Sequence, residues 1–163
     1  MSMIGNYLKL SGEQLDGLVK DPSKAEDLVY PENGDYPAGA LRIGKSWHLI
    51  HFLLTGDTWG GEYPLVNVVL GGNELPGTDA GYGPYRYLVH AEVKTISQAL
   101  ASISAEDLWS RFNVSLVQAA GIYHIPWTGN DDDKEYVSQN YEALRKYFSD
   151  AAASGNAMLL YLS

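Results

Sequence analysis

The apolar stripe between residues 134 and 153 constrains the fold more than any other feature of the sequence. Apolar side chains recur there at helical spacing, which predicts one long amphipathic helix: Tyr136, Val137, Tyr141, Leu144, Tyr147, Phe148 and Ala151. The run Asp131 to Asp133 precedes it, and acidic residues favour a helix N-terminus because the helix dipole stabilises them there. Gly155 ends the helix, and the apolar run from Ala157 to Leu162 predicts a final strand.

The other strand signals lie at the beginning and in the middle of the chain. Apolar residues of Met1 to Leu10 predict an opening strand, the β-branched run from Pro64 to Leu70 predicts a buried strand, and Tyr85 to Val89 predicts a short one. Helical patterns separate these runs. We therefore predict a single α+β domain over residues 1–163, with a mixed sheet that contains both terminal strands. Several helices, including the long C-terminal helix, cover that sheet.

Two capping signals and one apolar run place the shorter helices. Ser11 with Gln14 has the spacing of a capping box, and Ser104 with Asp107 has a similar spacing. The run from Lys45 to Thr55 carries apolar residues at helical spacing, and residues 91–102 and 114–120 predict further helices. Residues 30–40 and 71–84 are rich in glycine or proline and are predicted to be loops.

Composition excludes several classes of function. The formal net charge is −9, so we expect no nucleic-acid partner, because an acidic surface repels phosphates. The chain has no cysteine, which excludes disulfides and thiolate catalysis. No signal peptide and no apolar run of membrane-spanning length are evident, so we predict a cytoplasmic protein that has no membrane partner. No cofactor motif is present, and none is expected.

Several segments, taken in order, resemble the YfbM-like family, a bacterial domain-of-unknown-function family. They are residues 3–7, 45–56, 82–88 and 122–123 with Trp127, and 147–148 with 151–152. The resemblance spans nearly the whole chain and implies a single α+β domain, but it brings no activity and no catalytic residue. Gly44 departs from the family pattern, in which a capping Asp is expected before the tryptophan-containing helix.

A first set of candidate residues could form an aromatic cleft that binds a small ligand or carries out catalysis: Trp47, His48, His51, Tyr82, Arg86 and Trp127. His48 and His51 are neighbours on one helix face, which is suitable for sharing a metal or a proton. A metal site normally has three or four ligands, so we assign no metal. The alternative is that the histidines are structural and that Arg86 belongs to a structural ion pair beside a tight tyrosine-packed loop.

A second set of candidate residues could form an acidic, aromatic docking surface, because residues 55–83 hold four acids and no Lys or Arg. The set consists of Asp57, Trp59, Glu62, Tyr63, Glu74 and Asp79. Acidic rims steer basic partners and aromatic residues anchor them. The alternative is a solvated loop rim without a partner.

From these features we expect a small binding module that contacts a basic protein. By analogy of size and charge, one form would be an immunity or antitoxin-like protein that binds a toxin-like domain. The competing interpretation is a small-ligand-binding protein or an enzyme that uses the aromatic cleft. A third possibility is a scaffold with no ligand. No catalytic residue is assigned.

Overall fold

The computed structural model describes residues 2–32, 34, 36–124 and 126–163. Met1, at the start of the predicted opening strand, and Asn33 and Asp35, in the predicted loop 30–40, lie outside the described residues. The elements run in the order β1 (Gly5–Leu10), α1 (Gly12–Lys20), α2 (Lys24–Val29), β2 (Leu41–Gly44), α3 (Trp47–Thr55), β3 (Asn73–Glu74), β4 (Arg86–Leu88), α4 (His90–Ala101), α5 (Ala105–Ser110), α6 (Val114–Ala119), α7 (Asp131–Ala153) and β5 (Ala157–Leu162).

One five-stranded sheet joins the two ends of the described chain. The strand order is β2-β1-β5-β4-β3, and every pair is antiparallel, so the sheet is not mixed in strand direction. The terminal strands β1 and β5 pair along their full lengths, from Gly5 opposite Leu162 to Leu10 opposite Ala157. The α+β class, the terminal strands within the sheet and the long C-terminal helix are all confirmed.

The sheet separates two apolar cores, because successive side chains of a strand point to opposite faces. Along β5, Met158 and Leu160 belong to the core beneath α3, α4 and α7. Leu159 and Tyr161 belong to the core beneath α1 and α2. The central strand is therefore buried on both faces, which explains why its sequence is almost entirely apolar.

The helix starts follow from their caps. Ser11 and Gln14 form the predicted capping box at α1, and Ser104 and Asp107 form the one at α5. Helix α7 begins at Asp131, three residues before the predicted start, because Asn130 caps it through the Asp133 N–H. The three aspartates thus occupy its first turn, where the helix dipole stabilises negative charge.

The predicted strand from Pro64 to Leu70 is wrong. A short 3₁₀ turn covers Leu65–Asn67, and side chains take the carbonyl oxygens that a strand would offer to its neighbours. The Tyr7 hydroxyl donates to the Val68 carbonyl at 2.6 Å, and the Arg86 guanidinium donates to the Val69 carbonyl at 2.8 Å. Val68 and Val69 are nevertheless buried, as the apolar pattern predicts.

The unusual Gly44 has a backbone explanation. It ends β2 with φ 59°, a left-handed conformation that a side chain strains, and a Cβ there would overlap the Tyr136 hydroxyl. That hydroxyl accepts the Lys45 N–H at 2.8 Å. Helix α3 therefore starts without an Asp cap, and Ser46 precedes it with its hydroxyl bonded to the Ile43 carbonyl.

Candidate functional site

Helix α3 brings both candidate histidines against the loop that follows it. The helix is buried on almost every side, and Gly56 ends it in a left-handed conformation with φ 74°. The chain then turns back along the helix as residues 56–63, which we call the Trp59 loop.

His48 uses both ring nitrogens inside the protein. Its Nδ1 accepts the Tyr123 N–H at 2.9 Å, and its Nε2 lies 2.9 Å from the Thr58 carbonyl oxygen. A carbonyl only accepts, so Nε2 carries the proton and the ring is neutral. Burial lowers the pKa of His48, which keeps it neutral at physiological pH. His48 thus links the Trp59 loop to residue 123 through two hydrogen bonds.

His51 makes the second link from α3 to the loop. Its Nε2 lies 2.9 Å from the Gly60 carbonyl oxygen and donates to it. The buried Nδ1 has no hydrogen-bond partner among the described residues. Burial lowers the pKa of His51 to about 4, so this ring is also neutral near pH 7.

Backbone groups occupy three of the four ring nitrogens of His48 and His51, so the two imidazoles have no pair of free nitrogens with which to share a metal ion. Across the described part of the chain, no three or more His, Cys, Asp or Glu side chains are grouped so that they could hold a metal ion.

Asp57 closes the Trp59 loop on itself. Its Oδ1 accepts the N–H groups of Trp59 and Gly60 at 3.0 and 2.8 Å, and these bonds lower the pKa of Asp57. The Thr55 hydroxyl accepts the Asp57 N–H at 3.1 Å. With His48 and His51, these bonds fix the backbone of residues 57–60 from both sides.

The fixed loop presents aromatic side chains to solvent. Trp59 is 64% exposed and Tyr63 is 53% exposed, and the acids Asp57 and Glu62 beside them are exposed as well. The Trp59 ring centroid lies 4.4 Å from that of His48. Four of the six residues predicted for partner binding therefore lie together on one ordered loop.

The other two predicted partner-binding residues lie elsewhere. Glu74 is on the short strand β3, opposite Arg86. Asp79 follows in the connection between β3 and β4, where its Oδ1 accepts the Gly81 N–H at 2.8 Å. It faces a cavity beside α2, so the predicted acidic surface is divided.

Arg86 acts inside the protein rather than at a surface. Only 7% of it is exposed, and its Nη1 donates to the carbonyls of Val69 and Gly71, both at 2.8 Å. Burial lowers its pKa. The alternative prediction placed Arg86 in a structural ion pair. Arg86 does have a structural position, but its partners are backbone carbonyls. The ion pairs found among the described residues are Arg145 with Glu142 and Lys146 with Asp150.

The two tryptophans among the remaining cleft candidates also use their indole N–H groups internally. The Trp47 indole donates to the Met3 carbonyl at 3.0 Å, and the Trp127 indole donates to the Tyr123 carbonyl at 2.9 Å. Tyr82 lies apart from them, with its N–H bonded to the Leu162 carbonyl. The six cleft residues thus lie in three places: in the core, beside the Tyr123 segment and at the end of β5.

Sequence reasoning missed Tyr123 as the residue that connects these groups. Its N–H bonds His48, its carbonyl accepts from Trp127, and its ring stacks on Trp47 with centroids 5.5 Å apart. Two of these roles belong to the backbone, and no residue type marks a backbone role. A buried helical histidine was the only available signal, since it requires a donor or an acceptor nearby.

The comparisons with known proteins agree with this fold. A family model described as a domain of unknown function (DUF1877) matches residues 1–161. A crystal structure of YfbM from Escherichia coli, a protein of unknown function, superimposes with a TM-score of 0.77 at 20% identity. The match covers 98% of this chain and 99% of that chain. Among curated proteins, no sequence matches.

Membrane insertion through a helix has no support in the described residues, because none of their helices combines the length and the apolar character required to cross a bilayer.

Proposed function

The chain belongs to the family of the domain of unknown function DUF1877, and on that premise we propose that it is a binding module whose Trp59 loop docks onto a basic protein. The observation that carries this proposal is the exposed Trp59 ring on a loop whose backbone is fixed. The two histidines that suggested a reactive cleft serve here to hold that loop.

Preorganisation is the first argument for docking. A loop that is already ordered loses little entropy on binding, so more of the contact energy appears as affinity. The carbonyls of Thr58 and Gly60 are held by the helix, and Asp57 holds the N–H groups between them. The backbone that carries the Trp59 side chain is therefore held in one conformation before any partner arrives.

The chemistry of the exposed side chains is the second argument. Tryptophan and tyrosine are enriched among residues that dominate binding energy at interfaces. Trp59 and Tyr63 supply both types on one short loop, and each is more than half exposed. A large exposed aromatic side chain on a fixed backbone is a candidate anchor for a pocket on a partner.

Charge indicates the kind of partner. Asp57 and Glu62 flank the two aromatic side chains, and residues 55–83 contain no Lys or Arg. The net charge of −9 adds a long-range attraction that speeds association with a basic surface. An immunity or antitoxin-like role against a basic toxin domain is the concrete form that we propose, by analogy of size and charge. It would place the protein in the cytoplasm.

The cleft interpretation, a small-ligand binder or enzyme, remains a prediction with less support. Its polar side chains already have internal partners: His48 uses both ring nitrogens, Arg86 holds two carbonyls, and the two indoles donate to backbone oxygens.

The test is affinity capture from the lysate of the native host, followed by calorimetry with the purified partner. The Trp59→Ala variant removes the proposed anchor. The matched control is Val19→Ala, which shortens another exposed apolar side chain on α1, on the opposite side of the sheet. We expect Trp59→Ala to raise Kd by about 30-fold or more, as for a dominant interface residue. Val19→Ala should leave Kd unchanged.

Charge is tested separately with Glu62→Lys and Asp16→Lys, which make the same change on the loop and on α1. Glu62→Lys should slow association more than Asp16→Lys does, and raising the ionic strength should reduce the difference. A partner that binds wild type and Trp59→Ala equally well would refute the docking role of the loop. Failure to capture any stoichiometric partner would also count against it.

A further inference from the structure

A cavity on the other side of the sheet has a lining that suits a cationic ligand. It lies between α2 and the connection from β3 to β4, and its volume is about 300 Å³. Small-ligand sites begin at about this size. The lining residues carry hydroxyls or carboxylates, with a proline and a glycine: Pro22, Ser23, Glu26, Gly77, Thr78, Asp79 and Tyr85. None of these seven carries a positive charge.

The Tyr85 hydroxyl is the most informative group in this cavity. Only 2% of Tyr85 is exposed, and its hydroxyl has no hydrogen-bond partner among the described residues. The residue itself is well fixed, because its N–H donates to the Thr78 hydroxyl at 3.1 Å and its ring packs on Tyr161 with centroids 5.0 Å apart. Buried polar groups are normally paired, so an unpaired hydroxyl on a residue that lines a cavity indicates a missing partner.

The negative charges of two carboxylates also affect the ionisation of this hydroxyl. Burial, followed by the charges of Tyr30, Glu26 and Asp79, raises the pKa of Tyr85 to about 12. The phenol is therefore neutral near pH 7 and offers its oxygen as an acceptor. Glu26 and Asp79 are exposed at the rim, and Asp79 uses only Oδ1 for the Gly81 N–H.

We propose that this cavity binds a primary alkylammonium group between the Glu26 carboxylate, the Asp79 carboxylate and the Tyr85 hydroxyl. An –NH₃⁺ group has three N–H donors and no acceptor, which matches three acceptor groups. A metal ion is a poorer fit, since the described residues contain no cluster of three metal-ligating side chains. The alkyl part of the ligand would lie against the Pro22 ring and the Tyr85 ring.

This site is independent of the proposed docking function. Tyr85 belongs to the core beneath α1 and α2, whereas the α3 residues that hold the Trp59 loop belong to the opposite core. Failure of one proposal therefore leaves the other standing, and the Trp59→Ala variant should bind amines normally.

The experiment is a two-dimensional amide NMR titration of the full chain with n-butylammonium at pH 7, where an alkylamine with a pKa near 10.4 is charged. The neutral control ligand is 1-butanol, which has a similar shape. We expect saturable shifts at the amides of residues 77–79 and 85 with the amine and none with the alcohol. Absence of saturable shifts, or equal shifts with both ligands, would overturn the proposal and leave a cavity that holds water only.

Two conservative variants locate the charge and the hydroxyl. Glu26→Gln and Tyr85→Phe should each weaken amine binding by about tenfold or more, since the first removes the negative charge opposite the ammonium and the second removes a hydrogen-bond acceptor. The matched control is Asp27→Asn, which neutralises the neighbouring acid on the same helix, where Asp27 lines a different cavity. If Asp27→Asn weakened binding as much as Glu26→Gln, the effect would be general electrostatics and the site would be refuted.

The source of the ammonium group is settled by a second titration with Nα-acetyl-lysine amide, which carries the amine on a lysine side chain. Tighter binding of this probe than of n-butylammonium would identify a lysine of a protein as the ligand. Weaker binding would identify a free small amine. Both outcomes keep the chemistry of the site, and loss of binding by both probes overturns it.

Discussion

The indole ring of Trp59 and the imidazole of His48 lie with their centroids 4.4 Å apart, although Trp59 is exposed and His48 is buried. The contact between these two rings thus connects an exposed residue with a buried one. His48 in turn stacks on Trp47 at 4.8 Å. Any change in the charge or position of the α3 histidines should therefore be felt at the exposed loop.

Acidification should destabilise the protein through His51. Its pKa falls from the ordinary 6.5 to about 4 on folding, so between these values the unfolded chain binds a proton that the folded chain does not. Stability is therefore complete above pH 6.5 and is lost as the pH falls toward 4, by about 2–3 kcal/mol for this group. Urea unfolding followed by tryptophan fluorescence at pH 7 and pH 4.5 measures the loss.

The control for this pH effect is His51→Gln. The Gln amide nitrogen can donate to the Gly60 carbonyl as Nε2 does, but it does not titrate. The pH dependence between 7 and 4.5 should shrink by about the His51 contribution, or about 2 kcal/mol. An unchanged pH dependence would show that His51 is not responsible.

Removal of the Arg86 guanidinium should destabilise the fold by about 2 kcal/mol, because two carbonyls lose a charged donor. The variant is Arg86→Met. Its matched control is Arg111→Met, since Arg111 also donates to a carbonyl, that of Leu53, but from an exposed position where water can replace it. Chemical denaturation should show the larger loss for Arg86→Met, and the reverse order would contradict a structural role for Arg86.

Asp57→Ala should loosen the Trp59 loop with little change in global stability. The carboxylate is exposed, but it holds the N–H groups of Trp59 and Gly60. Amide hydrogen exchange at residues 59 and 60 should become faster, while the midpoint of thermal unfolding stays nearly constant. Asp57→Asn, which keeps an oxygen acceptor, should retain most of the protection; equal exchange rates in the two variants would exclude this role for Oδ1.

Gly44→Ala should destabilise the protein by about 2 kcal/mol, because a side chain is strained at φ 59° and overlaps the Tyr136 hydroxyl. The backbone strain depends on residue 44 alone, whereas the overlap depends on residue 44 and the Tyr136 hydroxyl together. Gly44→Ala should therefore cost less in a Tyr136→Phe background, by about 0.5 kcal/mol or more in a double-mutant cycle. Additive effects would show that the backbone conformation alone requires glycine.

The parts of the fold that could be predicted from the sequence are those set by local patterns. The stripe that includes Tyr141 and Leu144 predicted α7, and the capping boxes at Ser11 and Ser104 predicted two helix starts. The strand predicted at 64–70 is wrong because its hydrogen bonds are decided by Tyr7 and Arg86, distant in sequence. The short strands β2 and β3 were not predicted, since they exist through pairing with β1 and β4.

The sequence patterns identified candidate residues, but they did not identify the roles of those residues correctly. Trp59 and Tyr63 are exposed, as a docking surface requires. The His48 and His51 pair was correctly placed on one helix, but its partners are the Thr58 and Gly60 carbonyls. Carbonyls are present at every position, so no residue pattern can point to them. Tyr85 was predicted as the start of a short strand, and its unpaired hydroxyl became visible only in the structure.

The alternation along β4 has a consequence for how the chain avoids misfolding. Tyr85 points into the core beneath α1 and α2, and the next residue, Arg86, points to the carbonyls of Val69 and Gly71 on the opposite face. A slip of one residue would exchange the two faces and would bury a guanidinium among apolar side chains, at a high desolvation cost. The buried cation of this strand thus disfavours a one-residue slip of β4 against β5.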